Sequence, residues 1–206
     1  LHVVLVLLVA ILFGGLYGGL VGVLKAKTGA HEVIVTIMLN YIAALFILWL
    51  LKTSLFLRPG RLDPIAPEVN PSAQLPKLFG ENLRIHSGII LAILATIFVA
   101  WLLKTSTLGF KFRAVGSNAS AARTAGISVP FVTTSTMFIC GGLAGLGGAI
   151  HLIGTEYSLG AGIAGSLGFD AITVALLGQA TPIGTLFGAL LFGALQTGGR
   201  TLLSNT

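Results

Sequence analysis

KTSTLGFKFRAVGSNASAARTAGISVP, residues 104–130, decides how the chain is read. It carries four basic residues, Lys104, Lys111, Arg113 and Arg123, and no acidic one. Long apolar runs lie on both sides of it. Asn118 is suited to N-cap a helix, 119–125 is long enough for about two turns, and Gly126 can close it in the left-handed conformation. Pro130 then opens the next apolar run. The pattern predicts a chain that leaves a membrane, lays down one short capped helix among positive charges, and re-enters. A solvated loop with snorkelling lysines fits the same charges.

Composition supports the membrane. Only 9% of the residues are charged and 55% are apolar, whereas a soluble domain carries about a quarter charged residues. Several runs reach or approach the roughly 20 apolar residues that cross a hydrocarbon core. The expected fold is all-α: a polytopic transmembrane bundle of about five to six membrane helices, one of them broken or re-entrant. The formal charge of +6 sits in loops and at span ends, so it is no nucleic-acid signature. The single cysteine, Cys140, cannot form an internal disulfide, and no metal-ligand spacing occurs. The chain starts at Leu1 within an apolar run and ends at Thr206 just after another, as expected of one membrane domain, 1–206, within a longer protein.

Outward from the opening stretch, each span has its own signal. The first, 3–24, has Gly14, Gly18 and Gly22 on one face and Gly15 and Gly19 beside it. Small residues four apart let another helix approach closely in lipid. KAKTGAHE (25–32) is a basic turn in which Glu32 suits a helix N-terminus and His31–Glu32 is a conceivable proton-handling pair. The second span, 33–51, contains Thr36, Asn40 and Tyr41. An amide in an apolar helix must find a partner or a wet path, so Asn40 leads the candidates for lining one. Trp49 and Trp101 are placed as interface anchors. Residues 52–86 hold five of the seven prolines, which excludes a long helix and makes this an extramembrane connector. The third span is 87–103.

The fourth span, 131–153, repeats the small-residue pattern at Gly141, Gly145 and Gly148, with Ala144. Residues 154–169 are too glycine-rich for a stable helix and too apolar for a solvated loop; Glu156 and Asp170 flank them. Such backbone is tolerated at membrane depth only where protein covers it or it lines a cavity. Residues 171–177 are too short to span. GQATPIG interrupts them, and 185–203 resumes a helix with Gly188 and Gly193. A broken half-helix beside a full one, or one long helix kinked at Pro182, accounts for this. Counting spans alternately, the loops at 25–32 and 104–130 share a side with six Lys/Arg, against five in 52–86. The first side is therefore expected to be cytoplasmic.

No phosphate-binding loop or nucleophile elbow occurs, and the histidines are scattered. Ser135 and His151 lie four turns apart on one helix, too far for a catalytic pair. No enzyme chemistry is expected.

HEVIVTIMLNYIA (31–43), FRAVGSNASAARTAGISV (112–129), GGLAGLGGA (141–149) and GFDAITVALLGQATPIGTLFGALLFGAL (168–195) resemble one family. It is the inner-membrane permease of binding-protein-dependent ABC importers of the ribose and branched-chain amino-acid type, and within it the nucleoside permeases. The resemblance covers nearly the whole chain. It implies that 104–130 is a cytoplasmic loop whose short coupling helix docks in a separate ABC ATPase subunit, which binds the ATP and Mg. Gly116, Asn118, Ala121, Ala122, Arg123 and Gly126 fall in that motif. It implies an extracytoplasmic 52–86 facing a substrate-binding lipoprotein, a second permease subunit, and a bacterial cell membrane. No cofactor is expected in this chain.

The resulting expectation is a nucleoside permease working by alternating access, with Thr36, Asn40, Tyr41, Glu156 and Gln179 on the path. A ribose-like sugar or a branched-chain amino acid fits the same architecture. An ion-coupled secondary transporter needs a carboxylate in mid-span, whereas Glu32, Glu156 and Asp170 all fall at span ends. A membrane scaffold accounts for the glycine faces but not for Asn40 or the broken 154–184 region.

Overall fold

The computed structural model describes residues 2–78, 86–163 and 165–204, with side chains as far as residue 199. The portion of the proline-rich connector at 79–85 and both chain termini lie outside the described residues. The helices are α1 (His2–Thr28), α2 (Glu32–Lys52), α3 (Gly88–Thr105), α4 (Thr107–Ser117), α5 (Ala119–Thr124), α6 (Val129–His151), α7 (Leu167–Leu177) and α8 (Pro182–Ser204). The architecture is an all-α polytopic bundle. Helices α1, α2, α3 and α6 (with the π-turn that extends it) are long and apolar enough to cross a membrane. Helix α8 has 23 residues, and α7 has 11, too few to span. Large apolar side chains such as Leu8, Phe13, Met38, Leu45 and Phe187 are exposed, as a lipid-facing surface requires.

The centre of the fold is the antiparallel pair α1 and α6. A Cβ on Gly14 would lie 2.5 Å from the carbonyl oxygen of Gly141 and 3.0 Å from Cα of Gly145. One on Gly22 would lie 2.6 Å from Cα of Thr134, and one on Gly18 would strike the Met137 carbonyl. From the other side, Cβ atoms on Gly141 and Gly145 would strike the carbonyls of Gly14 and Ala10. These positions accept no side chain, so backbone meets backbone and dispersion between the helices is maximal. Gly15 lies in the neighbouring row, where a Cβ would come 2.9 Å from the Phe138 ring. Gly148, expected on a second small-residue face with Ala144, has nothing within 4 Å of its Cβ position among the described residues.

The two ends of the bundle differ. At the basic end, Lys25 pairs with Glu32 at 2.7 Å across the α1–α2 turn. The conceivable His31–Glu32 pair is therefore not what forms, because Lys25 reaches the carboxylate. At the opposite end, the connector binds residues 153–160 through its backbone. Ala66 N donates to Leu159 O at 2.9 Å, Val69 N to Tyr157 O at 2.7 Å, and Leu75 N to Ile153 O at 3.0 Å. Leu51, Ala73, Leu75 and Ile153 are buried at this end.

The glycine-rich run after α6 forms a π-turn, Leu152–Glu156, and then irregular turns. Helix α7 follows and reverses at 178–181, where Gln179 and Ala180 have φ of 53° and 52°. Helix α8 packs back on α7: a Cβ on Gly188 would lie 3.1 Å from Val174 O, and one on Gly184 would strike the Gly178 carbonyl. Pro182 opens α8 at its first position, where the missing N–H costs nothing. A broken half-helix beside a full one is thus the arrangement found, not one helix kinked at Pro182.

Candidate functional sites: an exposed capped helix and a cavity among α1, α2 and α6

At the basic end the chain makes two corners. Ser106 closes the first: its hydroxyl donates to Leu102 O at 2.6 Å and accepts from Gly109 N at 2.9 Å. A Cβ on Gly109 would strike the Leu102 carbonyl, so glycine lets α4 fold tightly against the end of α3. Helix α4 was not foreseen; the polar island holds two helices, not one. The Ser106–Gly109 spacing was its legible signal.

Asn118 makes the second corner. Its Oδ1 accepts from Ser120 N at 3.1 Å, Ala121 N at 3.0 Å and the Ser120 hydroxyl at 2.7 Å. Helix α5 ends in a Schellman cap: Ile127 N donates to Ala122 O and Gly126 N to Arg123 O, both at 3.0 Å. Gly126 takes φ +81° for that cap. Ala121 and Arg123 are exposed, as is Gly116, whose Cβ position is open space. Ala122 is 4% exposed, on a helix packed against α4 and α6. Ala122 therefore supports the helix from below, and the outer face belongs to Ala121 and Arg123.

The second site is a cavity of about 360 Å³ among α1, α2 and α6, lined by Tyr17, Thr36, Asn40, Cys140 and the Gly14–Gly18 and Gly141–Gly145 backbones. Thr36 and Asn40 are one helical turn apart and share a stripe of α2. Thr36 Oγ1 donates to Val33 O at 2.9 Å. The Tyr17 hydroxyl donates across to Leu39 O at 2.8 Å. Asn40 makes no hydrogen bond to the described residues. Tyr41 is 70% exposed on another face of α2. Glu156 lies elsewhere, with His151 Nε2 3.9 Å away, on a cavity of about 290 Å³ with Ile65 and Ser158. Gln179 sits on a third, of about 400 Å³, with Thr181 and Phe187. The structure brings Thr36 and Asn40 together and leaves Tyr41, Glu156 and Gln179 apart from them. Tyr17 was missed, although a phenol inside a glycine-rich span signals a buried acceptor.

Comparison with known proteins assigns the whole chain. The family model described as "Branched-chain amino acid transport system / permease component" matches residues 1–206. The chain belongs to this permease family. The permease is 40% identical over 206 residues to the guanosine ABC transporter permease protein NupP of Bacillus subtilis, covering 98% of the chain and 58% of that relative. It is 36% identical to the nucleoside ABC transporter permease protein NupB of Lactococcus lactis, covering 94% of the chain and 55% of the relative. It is 30% identical to the glucose ABC transporter permease protein TsgB13 of Haloferax volcanii, covering 96% and 54%. The chain thus spans little more than half the length of these curated relatives. No solved structure matches it. Family and apolar helices together make the permease a multi-pass membrane protein.

Proposed function

We propose that this chain is part of a permease subunit that carries nucleosides inward through an ABC importer of a bacterial cell membrane. The observation that carries the reading is the 40% identity to a guanosine permease along 98% of the chain. In this reading the basic end is cytoplasmic and α5 docks on a separate ATPase subunit, which binds the ATP and Mg. The chain itself carries no ATP-binding loop. Gly116, Asn118, Ala121, Arg123 and Gly126 shape the docking helix from outside, and Ala122 seats it. The connector end is extracytoplasmic and receives a substrate-binding lipoprotein. A second permease subunit, identical or homologous, completes the path. Closure of the ATPases on ATP moves α5, the Gly126 cap that joins α5 to α6 passes the motion on, and the α1–α6 pair moves as one body because its backbones interlock. The cavity at Thr36 and Asn40 then opens to one side at a time; Glu156 and Gln179 border other cavities. Tyr41 is exposed and does not line that cavity.

Affinity capture of the full-length permease with its ATPase, in detergent, tests the docking helix. Ala121→Glu should remove the ATPase at least tenfold while the permease keeps its wild-type elution profile. Ala122→Glu should instead lower the folded yield, because the charge is forced inward. Retention of the ATPase by folded Ala121→Glu protein would overturn the docking assignment. Uptake of labelled guanosine by the assembled importer tests the cargo. Uptake of glucose without guanosine would replace the nucleoside by a sugar, the cargo named for the Haloferax relative.

A further inference from the structure

We infer that the cavity among α1, α2 and α6 is a binding site for an uncharged nucleoside, in which the Asn40 side-chain amide reads the base edge and the Tyr17 ring forms a fixed wall. This rests on the nucleoside reading above and adds residues to it. The volume, about 360 Å³, falls in the range of about 300–1,000 Å³ typical of small-molecule sites.

Three hydrogen-bonding side chains stand on its wall, and two are committed. The Tyr17 hydroxyl is held by Leu39 O and the Thr36 hydroxyl by Val33 O. Only Asn40 offers an amide with no partner among the described residues. Asn40 is exposed on the cavity side, so its amide is open to a ligand that can satisfy both its donor and its acceptor. An amide presents donor and acceptor side by side, which matches the paired donor–acceptor edge of a nucleobase.

The remaining surface selects in the same direction. Where α1 and α6 meet, glycine backbone at Gly14, Gly18, Gly141 and Gly145 lines the cavity beside the side chains of Val21, Met137 and Ala144. Tyr17 cannot swing away while its hydroxyl bonds Leu39 O. A planar ring entering the cavity meets Tyr17 among mostly apolar lining residues, and aromatic side chains are the usual platforms for base stacking. No charged side chain lines the cavity. A zwitterionic amino acid would bring two charges into a membrane interior with no counter-charge to meet them. A sugar also satisfies Asn40, and glucose is therefore one of the competitors in the test.

Cys140 lines the same cavity and provides the probe. The full-length importer in membrane vesicles is treated with a charged, water-soluble thiosulfonate, and Cys140→Ala defines the background. Labelling at Cys140 should occur, and millimolar guanosine should slow it at least threefold while leucine and glucose do not. In Asn40→Leu the protection should fall to below 1.5-fold and the KM for guanosine uptake should rise at least tenfold, with the ATPase still bound. Failure of the reagent to reach Cys140, or protection unchanged in Asn40→Leu, or equal protection by leucine, would each overturn the site. The first and third of these are read on the wild-type protein and do not depend on the variant folding. Guanosine uptake by the same vesicles separates the two levels: uptake without protection sinks this site alone, and no uptake sinks the nucleoside reading and the site with it.

Discussion

Helices α1 and α2 are both long and apolar, adjacent in sequence and joined by a short turn, yet they are held in opposite ways. Helix α1 is locked to α6 along Gly14, Gly18 and Gly22, where no Cβ fits. Helix α2 has no such stripe. Its side chains are largely exposed, its polar links to α1 are the Tyr17–Leu39 hydrogen bond and the Lys25–Glu32 ion pair, and its Thr36 and Asn40 border the cavity. In lipid, apolarity does not attract one helix to another, because the tails are as apolar as leucine. Close approach does, and it needs missing side chains. A helix without them is left free for cargo, for other helices of the longer protein, or for a second subunit.

The comparison breaks most readily at Gly141. Leucine there collides with the α1 backbone at Gly14 and Gly18, and overpacking against backbone should cost more than about 3 kcal/mol, the upper end for inserted side chains. Full-length Gly141→Leu should lose its monodisperse peak in detergent. Gly147→Leu, with nothing within 4 Å of its Cβ position, should stay within about 0.5 kcal/mol of wild type in thermal unfolding. If both variants behave alike, the α1–α6 lock is not what organises the bundle.

A smaller effect is expected at the basic end. Asn118→Ala removes the acceptor of two backbone N–H groups and should cost about 1 kcal/mol. The permease should stay assembled but hold its ATPase several-fold less well, whereas Asn118→Asp, which caps equally, should hold it normally. Capture yields of the two variants decide this. The smallest effect belongs to α2. Tyr17→Phe deletes the α1–α2 hydrogen bond at a cost of about 0.6 kcal/mol, the average for such bonds between membrane helices. A shift of several kcal/mol in thermal unfolding would mean that α2 is fastened far better than this structure indicates.

Much of this was legible. Asn118, Ala121 and Gly126 stood in the order that a capped two-turn helix demands, and capping is a local matter of side-chain oxygen and φ. The glycine rows at 14–18–22 and 141–145 announced close helix contact, and the half-helix before Pro182 was readable from its length. Other features were not. Gly148 was expected on a second small-residue face with Ala144, but which such face meets a neighbour depends on the crossing, which only the partner decides. Ala122 was grouped with Ala121 in the docking motif because the sequence does not show which side of α5 meets α4 and α6. Helix α4 was hidden by its charges and by the glycine at 109, which reads as a loop until its contact with Leu102 is seen. Thr36 and Asn40 were expected together with Tyr41, yet one residue turns the side chain by about 100° on a helix.

What the sequence determined alone was the class and the local devices: the membrane from composition, the helices from runs of about 20 apolar residues, the ends of α5 from Asn118 and Gly126, and the family from its motifs. These depend on solvent and on neighbours a few residues away. Only the tertiary structure decided which glycines touch, which face of α5 looks outward, how the connector grips the turn after α6, and that Tyr17, Asn40 and Cys140 border one cavity. Those depend on the relative rotation and crossing of helices far apart in the chain. In lipid that geometry is set by the sum of many weak contacts, and no single residue type records it.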